Sequence, residues 1–168
     1  QRLVAPVNVI DCSKQSAENE DFLLTAEGVK SLEAVNGEIG KGEWVVMRTD
    51  WDKRANDEAK FLNADETGPH SPGPTPDCIE YLLSKGIVGW GTQCIGTDAG
   101  QAGGMEPAYP AHNLLHRDNC FGLASLANLD KLSSIVPVES VELPGGDLFV
   151  AAWRLDQPCI LLHFLGQN

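Results

Sequence analysis

The stretch Thr75-Pro-Asp-Cys-Ile-Glu-Tyr-Leu-Leu-Ser-Lys-Gly-Ile-Val-Gly-Trp-Gly-Thr92 places a helix and a strand back to back. Thr75 offers a capping hydroxyl, and Pro76 occupies the first turn, where its missing N–H costs nothing. Ile79, Leu82 and Leu83 then form an apolar stripe that Gly86 stops, and Ile87 to Thr92 reads as a short strand. Upstream, Trp44-Val-Val-Met-Arg-Thr49 has the continuous apolar character of a strand buried on both faces. A strand, a helix and a strand in succession imply a parallel, right-handed crossover, and so an α/β fold.

Further out, Val7-Asn-Val-Ile-Asp11 reads as a first strand and Ser13 to Asp21 as an acidic loop. Thr25 can cap a helix with Val29, Leu32 and Val35 at helical spacing and Gly37 and Gly40 as stops. From Asp50 to Glu66 the chain is polar, and Gly68-Pro-His-Ser-Pro-Gly-Pro74 is expected to hold no regular structure, because its prolines remove donors. A Gly- and Pro-rich loop runs from Gly96 to Pro110, and a brief helical patch from Ala111 to His116 leads to Phe121 through Leu132. The last quarter reads as β: Val136 to Val141, a turn at Pro144-Gly145-Gly146, Leu148 to Leu155 and Cys159 to Leu165. The expectation is a single α/β domain over residues 1–168, with a mixed sheet and a β-rich C-terminal part.

Charge narrows the partners. The 168 residues carry 24 acids against 12 bases, a net charge of −12. A phosphate backbone needs clustered Lys and Arg, so nucleic acid is not an expected partner. No run of about 18 apolar residues occurs, and no basic stretch precedes a short apolar one, so neither a membrane span nor a secretory signal is expected. Five cysteines (Cys12, Cys78, Cys94, Cys120, Cys159), widely spaced and never as CxxC, suggest a reduced, cytoplasmic setting. The chain opens Gln1-Arg2-Leu3-Val4-Ala5-Pro6 and runs almost at once into a strand, which suggests that an N-terminal portion is missing.

Few residues carry chemistry. His112 and His116 lie four apart, on one side of a helix, as a metal pair or as two surface histidines with hydrogen-bond partners. Asn113 stands where a zincin needs its Glu, which argues against metalloprotease chemistry. Gly96-Thr97-Asp98-Ala99-Gly100 follows the Gln93 strand at its carboxyl end, where open α/β sheets place ligands. Asp98 there could orient a histidine, bind a cation, or make an Asx-turn. No phosphate-loop spacing, GxSxG elbow or Cys–His neighbourhood is present. Trp44, Trp51, Trp90 and Trp153 read as core, and Glu18, Glu20 and Asp21 as a solvated face.

Taken in order, Val45-Val-Met-Arg-Thr-Asp-Trp51, Ser71-Pro-Gly-Pro-Thr-Pro76, Gly96-Thr97-Asp98-Ala99-Gly100, Pro110-Ala-His112 and Leu126-Ala-Asn128-Leu129-Asp130 resemble the cyclase family, to which kynurenine formamidase and isatin hydrolase belong. The resemblance covers Leu3 to Trp153. It implies a swivelling-type β/α/β domain and a metal-dependent hydrolase that opens an amide, lactam, lactone or formamide with metal-activated water. Zinc or manganese is the implied cofactor and a small amide or cyclic amide the implied substrate. The family hallmark HxGTHxDxPxH, upstream of the first strand, is absent from this chain. His112 matches a family metal ligand, whereas Ala124 falls where the family has a Glu or Gln ligand and Gln93 where many members carry an acid. Asp98, His116 and Gln93 are candidates for supporting the ligand or lining the substrate loop, and no residue stands out as the catalytic one. The chain alone is therefore expected to be inactive, and to need a homo-oligomeric mate or an accompanying N-terminal segment. The other reading is a catalytically inactive relative used as a binding or assembly module.

Overall fold

The computed structural model describes residues 4–132 and, beyond them, the backbone of 149–154 and 157–163. In chain order the longer elements are β1 (Val7–Asp11), α1 (Ser13–Glu18), α2 (Ala26–Asn36), β2 (Trp44–Arg48), α3 (Glu58–Leu62), α4 (Pro76–Ser84), β3 (Gly89–Thr92), β4 (Phe121–Leu123), β5 (Phe149–Arg154) and β6 (Gln157–His163). Strands β1, β2, β3 and β4 lie side by side in that order, every pair parallel. The α/β expectation holds. Antiparallel pairing lies outside this sheet, chiefly in the β5–β6 hairpin. Val136 to Val141, the 144–146 turn and the side chains of Trp153 and Cys159 fall outside the described residues.

Both faces of the sheet are buried, which explains the uninterrupted apolar run of β2. Val45 and Met47 join Ile10 and Trp90 against Val29 of α2, Ile79 and Leu82 of α4, and Leu114 and Leu115. Trp44 and Val46 point the other way, with Val7 and Val9 against Leu126, Leu129 and Leu132. Strand β3 needs glycine at two places: a Cβ on Gly89 would come 2.4 Å from the Trp44 ring, and one on Gly91 2.9 Å from Leu126. Trp44 stacks on Phe121 across that gap, ring centroids 6.0 Å apart.

The helix signals are used as read. The Thr25 hydroxyl accepts from the Gly28 amide at 3.1 Å, and α2 ends at Gly37 with φ 102°. The Thr75 hydroxyl accepts from Cys78, with Pro76 in the first turn of α4. One position departs: Val35 is 83% exposed, and Glu33, four residues after Val29, takes the inward place. Buried Glu33 is tolerated because its carboxylate accepts from the Ile39 amide, the Tyr81 hydroxyl and Lys85.

Two stretches expected to be irregular, and the polar one between them, are ordered. Ser13 to Glu18 forms α1, anchored where Asp11 accepts from the amide and hydroxyl of Ser13. Trp51 to Arg54 makes a 3-10 turn, and Asp57 caps α3. In the proline-rich run, Ala64–Asp65 pairs with Gly68–Pro69 and Leu23–Leu24 with Gly73–Pro74. Proline removes only its own donor, and the amides of Gly73 and Thr75 on either side of Pro74 reach Phe22 and Leu24.

Candidate functional site

The loop leaving β3 folds back over its own strand. The Trp90 indole N–H donates to the Thr97 carbonyl at 3.0 Å, and the methyl of Thr97 lies against Gly122 of β4, 3.1 Å from where a Cβ would stand. Next along the chain, Asp98 is buried and accepts from the Ala111 amide at 2.6 Å, the His112 amide at 3.2 Å and the His112 ring at Nδ1. The 111–115 turn is a π-helix. Its first free amides are satisfied by a carboxylate from a distant loop, the job a capping residue usually does.

That arrangement fixes the imidazole. An ionised carboxylate only accepts, so Nδ1 carries the proton, and in the neutral ring Nε2 holds the lone pair. Thr97 Oγ1 lies 3.2 Å from the same Nδ1. The His112 side chain is 57% exposed while that of Asp98 is 4% exposed, so the held edge is inward and the free nitrogen outward. Asp98 reads from sequence as a histidine-orienting group, a cation ligand or an Asx-turn, and the contact present is its hydrogen bond to the His112 ring. His116, one turn on, stands edge-on to His112 with ring centroids 6.1 Å apart. Among the described residues no three His, Cys, Asp or Glu side chains converge as a metal site would. Their donor set fits one imidazole ligand, backed by a carboxylate, and not a complete centre.

A second loop, Ser71 to Pro76, packs directly on this one. A Cβ on Gly73 would come 2.2 Å from the Ala99 nitrogen, and one on Gly100 2.3 Å from the Pro69 oxygen. The Gly100 amide donates to Ser71 and the Gln101 side chain to Pro69, each at 2.9 Å. Gly73 and Gly100 are thus places where backbone meets backbone.

Gln93 is fully buried and makes no hydrogen bond to Asp98 or His112. Its oxygen accepts from the amides of Thr49 and Asp50 at 2.7 and 2.8 Å, and its nitrogen donates to Asp52 at 2.7 Å. The other oxygen of Asp52 accepts from the Asn128 amide at 2.9 Å. Asp50 and Asn128, at the two ends of this relay, both have left-handed backbone, φ 57° and 62°. Ala124 sits in the turn after β4, and its methyl offers no ligand atom.

Sequence reasoning missed a further cluster. His70 Nδ1 bonds Asp21 at 2.7 Å, and its Nε2 lies 3.2 Å from Asp65 and 2.9 Å from the Thr67 hydroxyl. Glu20 pairs with Arg54 and Asn63, so two of the three acids expected as a solvated face, Glu20 and Asp21, are recruited. A cleft of about 320 Å³ opens between Glu20, Asn63, Asp65 and His70. Asp21 first and Asp65 second hold the His70 imidazolium above its ordinary range, and the Thr67 hydroxyl and amide bring Asp65 down to about 2. A proton held this way suits a structural clasp and not a general base. No local signal marks it, since 49 residues separate Asp21 from His70. Two buried cysteines are held as thiols: burial, then Asp11, pushes Cys12 up to about 12, and burial pushes Cys94 up to about 11.

Residues 1–99 match the Cyclase family (Putative cyclase). An isatin hydrolase of Roseibium aggregatum is 85% identical over 132 residues, 79% of this chain and 50% of that protein. The crystal structure of an isatin hydrolase bound to the product analogue thioisatinate superposes with a TM-score of 0.81 at 70% identity, over 96% of this chain and 60% of that one. Isatin hydrolase A from Labrenzia aggregata, bound to benzyl benzoate, gives 0.77 at 51% identity, over 79% of this chain and 52% of that one. The chain spans between half and three fifths of the length of these relatives. With most of its length matched by the family and its loops packed on one another, the chain belongs to the cyclase family.

Proposed function

We propose that this chain carries the His112–Asp98 part of the active site of a hydrolase that opens a small cyclic amide of the isatin type. The observation that carries the reading is the buried Asp98 carboxylate holding the His112 Nδ1–H, which leaves Nε2 outward with its lone pair. Ring opening adds water to an amide carbonyl, breaks the C–N bond and returns a proton to nitrogen. A divalent ion, zinc or manganese by family resemblance, would when bound lower the pKa of water and polarise the carbonyl. His112 fits one of its ligand positions, and the described residues supply no complete set. What this chain does itself is hold one imidazole in a single tautomer, at the carboxyl end of a parallel sheet, on a loop braced by a second loop. Cys12, Cys78 and Cys94 are buried free thiols, which supports a reducing compartment such as the cytoplasm.

Replacing His112 by Ala is the test. Turnover of isatin by the protein should fall by about 100-fold or more, with its melting temperature nearly kept, because the lost ring is half-exposed. Undiminished turnover would overturn the assignment. Ala124, which lacks a ligand atom, supports a second reading as a catalytically inactive binding or assembly module. Measurable ring opening by the unsubstituted protein would eliminate that reading.

A further inference from the structure

We propose that Trp90 is a positioning residue for this site. Its indole N–H, by holding the Thr97 carbonyl, sets where Asp98 stands and thereby which nitrogen of His112 keeps the proton. The inference rests on the reading of His112 as the working imidazole.

Trp90 is fully buried in the middle of β3, between Val45 of β2 and Gly122 of β4. Apolar volume alone would be met there by Phe; what Phe lacks is the N–H. That donor lies out of water and needs a partner, and the partner is the backbone of a residue seven positions on, at 3.0 Å. Thr97 is thus held by the indole on one side and by Gly122 on the other. Its neighbour Asp98 spends its hydrogen bonds on residues 111 and 112. A loop loosened at Thr97 lets the carboxylate retreat, and Nδ1 then loses its acceptor. Nε2 can take the proton instead, and the outward lone pair disappears. Trp90 touches none of the reacting groups and acts only through Asp98.

The experiment is Trp90→Phe, read by nitrogen-15 NMR of labelled histidine beside steady-state turnover of isatin. In the unsubstituted protein His112 should be almost wholly the Nδ1–H tautomer. In Trp90→Phe the two tautomers should mix, with kcat down about 10-fold and KM within about twofold. A folded variant with an unchanged tautomer, or with an unchanged kcat, overturns the proposal. If the variant does not fold, hydrogen exchange of the unsubstituted protein decides. The Trp90 indole proton and the amides of Ala111 and His112 should then exchange within about threefold of one another, as parts of one opening unit. An indole proton exchanging about 100-fold faster than those amides overturns it. If the unsubstituted protein opens no isatin even in the assembly that completes its metal site, the functional reading fails, while tautomer and exchange still decide the role of Trp90.

Discussion

At the scale of single residues, Gln93 explains itself through what surrounds it. Its amide can accept two backbone N–H groups and still donate to Asp52, which a carboxylate cannot do. Gln93→Glu should set a buried carboxylate against the half-buried one of Asp52 and cost about 1–3 kcal/mol in chemical denaturation at neutral pH. Adding Asp52→Asn should recover most of the loss, since Asn can donate to the new carboxylate and still accept from the Asn128 amide. His70 gives a pH dependence with a definite sign. Its folded-state pKa is raised by Asp21 and Asp65, so the stability it adds is present below the ordinary histidine value of about 6.5 and is lost as pH climbs through the raised one. The gap in melting temperature between the protein and His70→Gln should therefore be widest near pH 5 and close above it as His70 deprotonates. A gap that widens toward alkaline pH would contradict the clasp. His112 and Asp98 were both legible from sequence as residue types at suggestive places. Their union was not, because 14 residues of glycine- and proline-rich chain separate them and only the folded loop brings them together.

At the scale of elements, the helices were legible because their signals are local. Thr25, Thr75, Pro76, Gly37 and Gly86 act within a turn of where they stand. Thr75→Ala should cost about 1 kcal/mol by loss of its cap. Irregular stretches were less legible: the Leu23–Leu24 pairing takes its bonds from residues far along the chain, such as Gly73 to Phe22, and α1 is a six-residue polar segment with no apolar stripe. Val35 failed as a stripe residue for a geometric reason: steps of three drift around a helix of 3.6 residues per turn, and Glu33 rotates inward instead. The contact between the two loops makes a sharper prediction. Gly73→Ala should lose about 1–3 kcal/mol and also lower isatin turnover, because the new methyl must push on Ala99, next to Asp98. Gly104→Ala, with open space around it, should change neither.

At the scale of the molecule, the α/β class followed from three apolar strands alternating with capped helices, and the parallel order β1, β2, β3, β4 agrees with it. Burial on both faces is what the unbroken run Trp44-Val-Val-Met47 required. The site sits where the carboxyl end of β3 meets the loop from Ser71 and the turn from Ala111, so three segments converge on one imidazole. The direct test of that convergence is steady-state turnover of isatin by Asp98→Asn beside the unsubstituted protein, each checked for an intact melting transition. Asn can donate to Nδ1 as well as accept from the amides, so the turn survives while the tautomer of His112 is released. The account predicts a fall in kcat of about 10- to 100-fold with KM little changed. Equal turnover in the two proteins would contradict it.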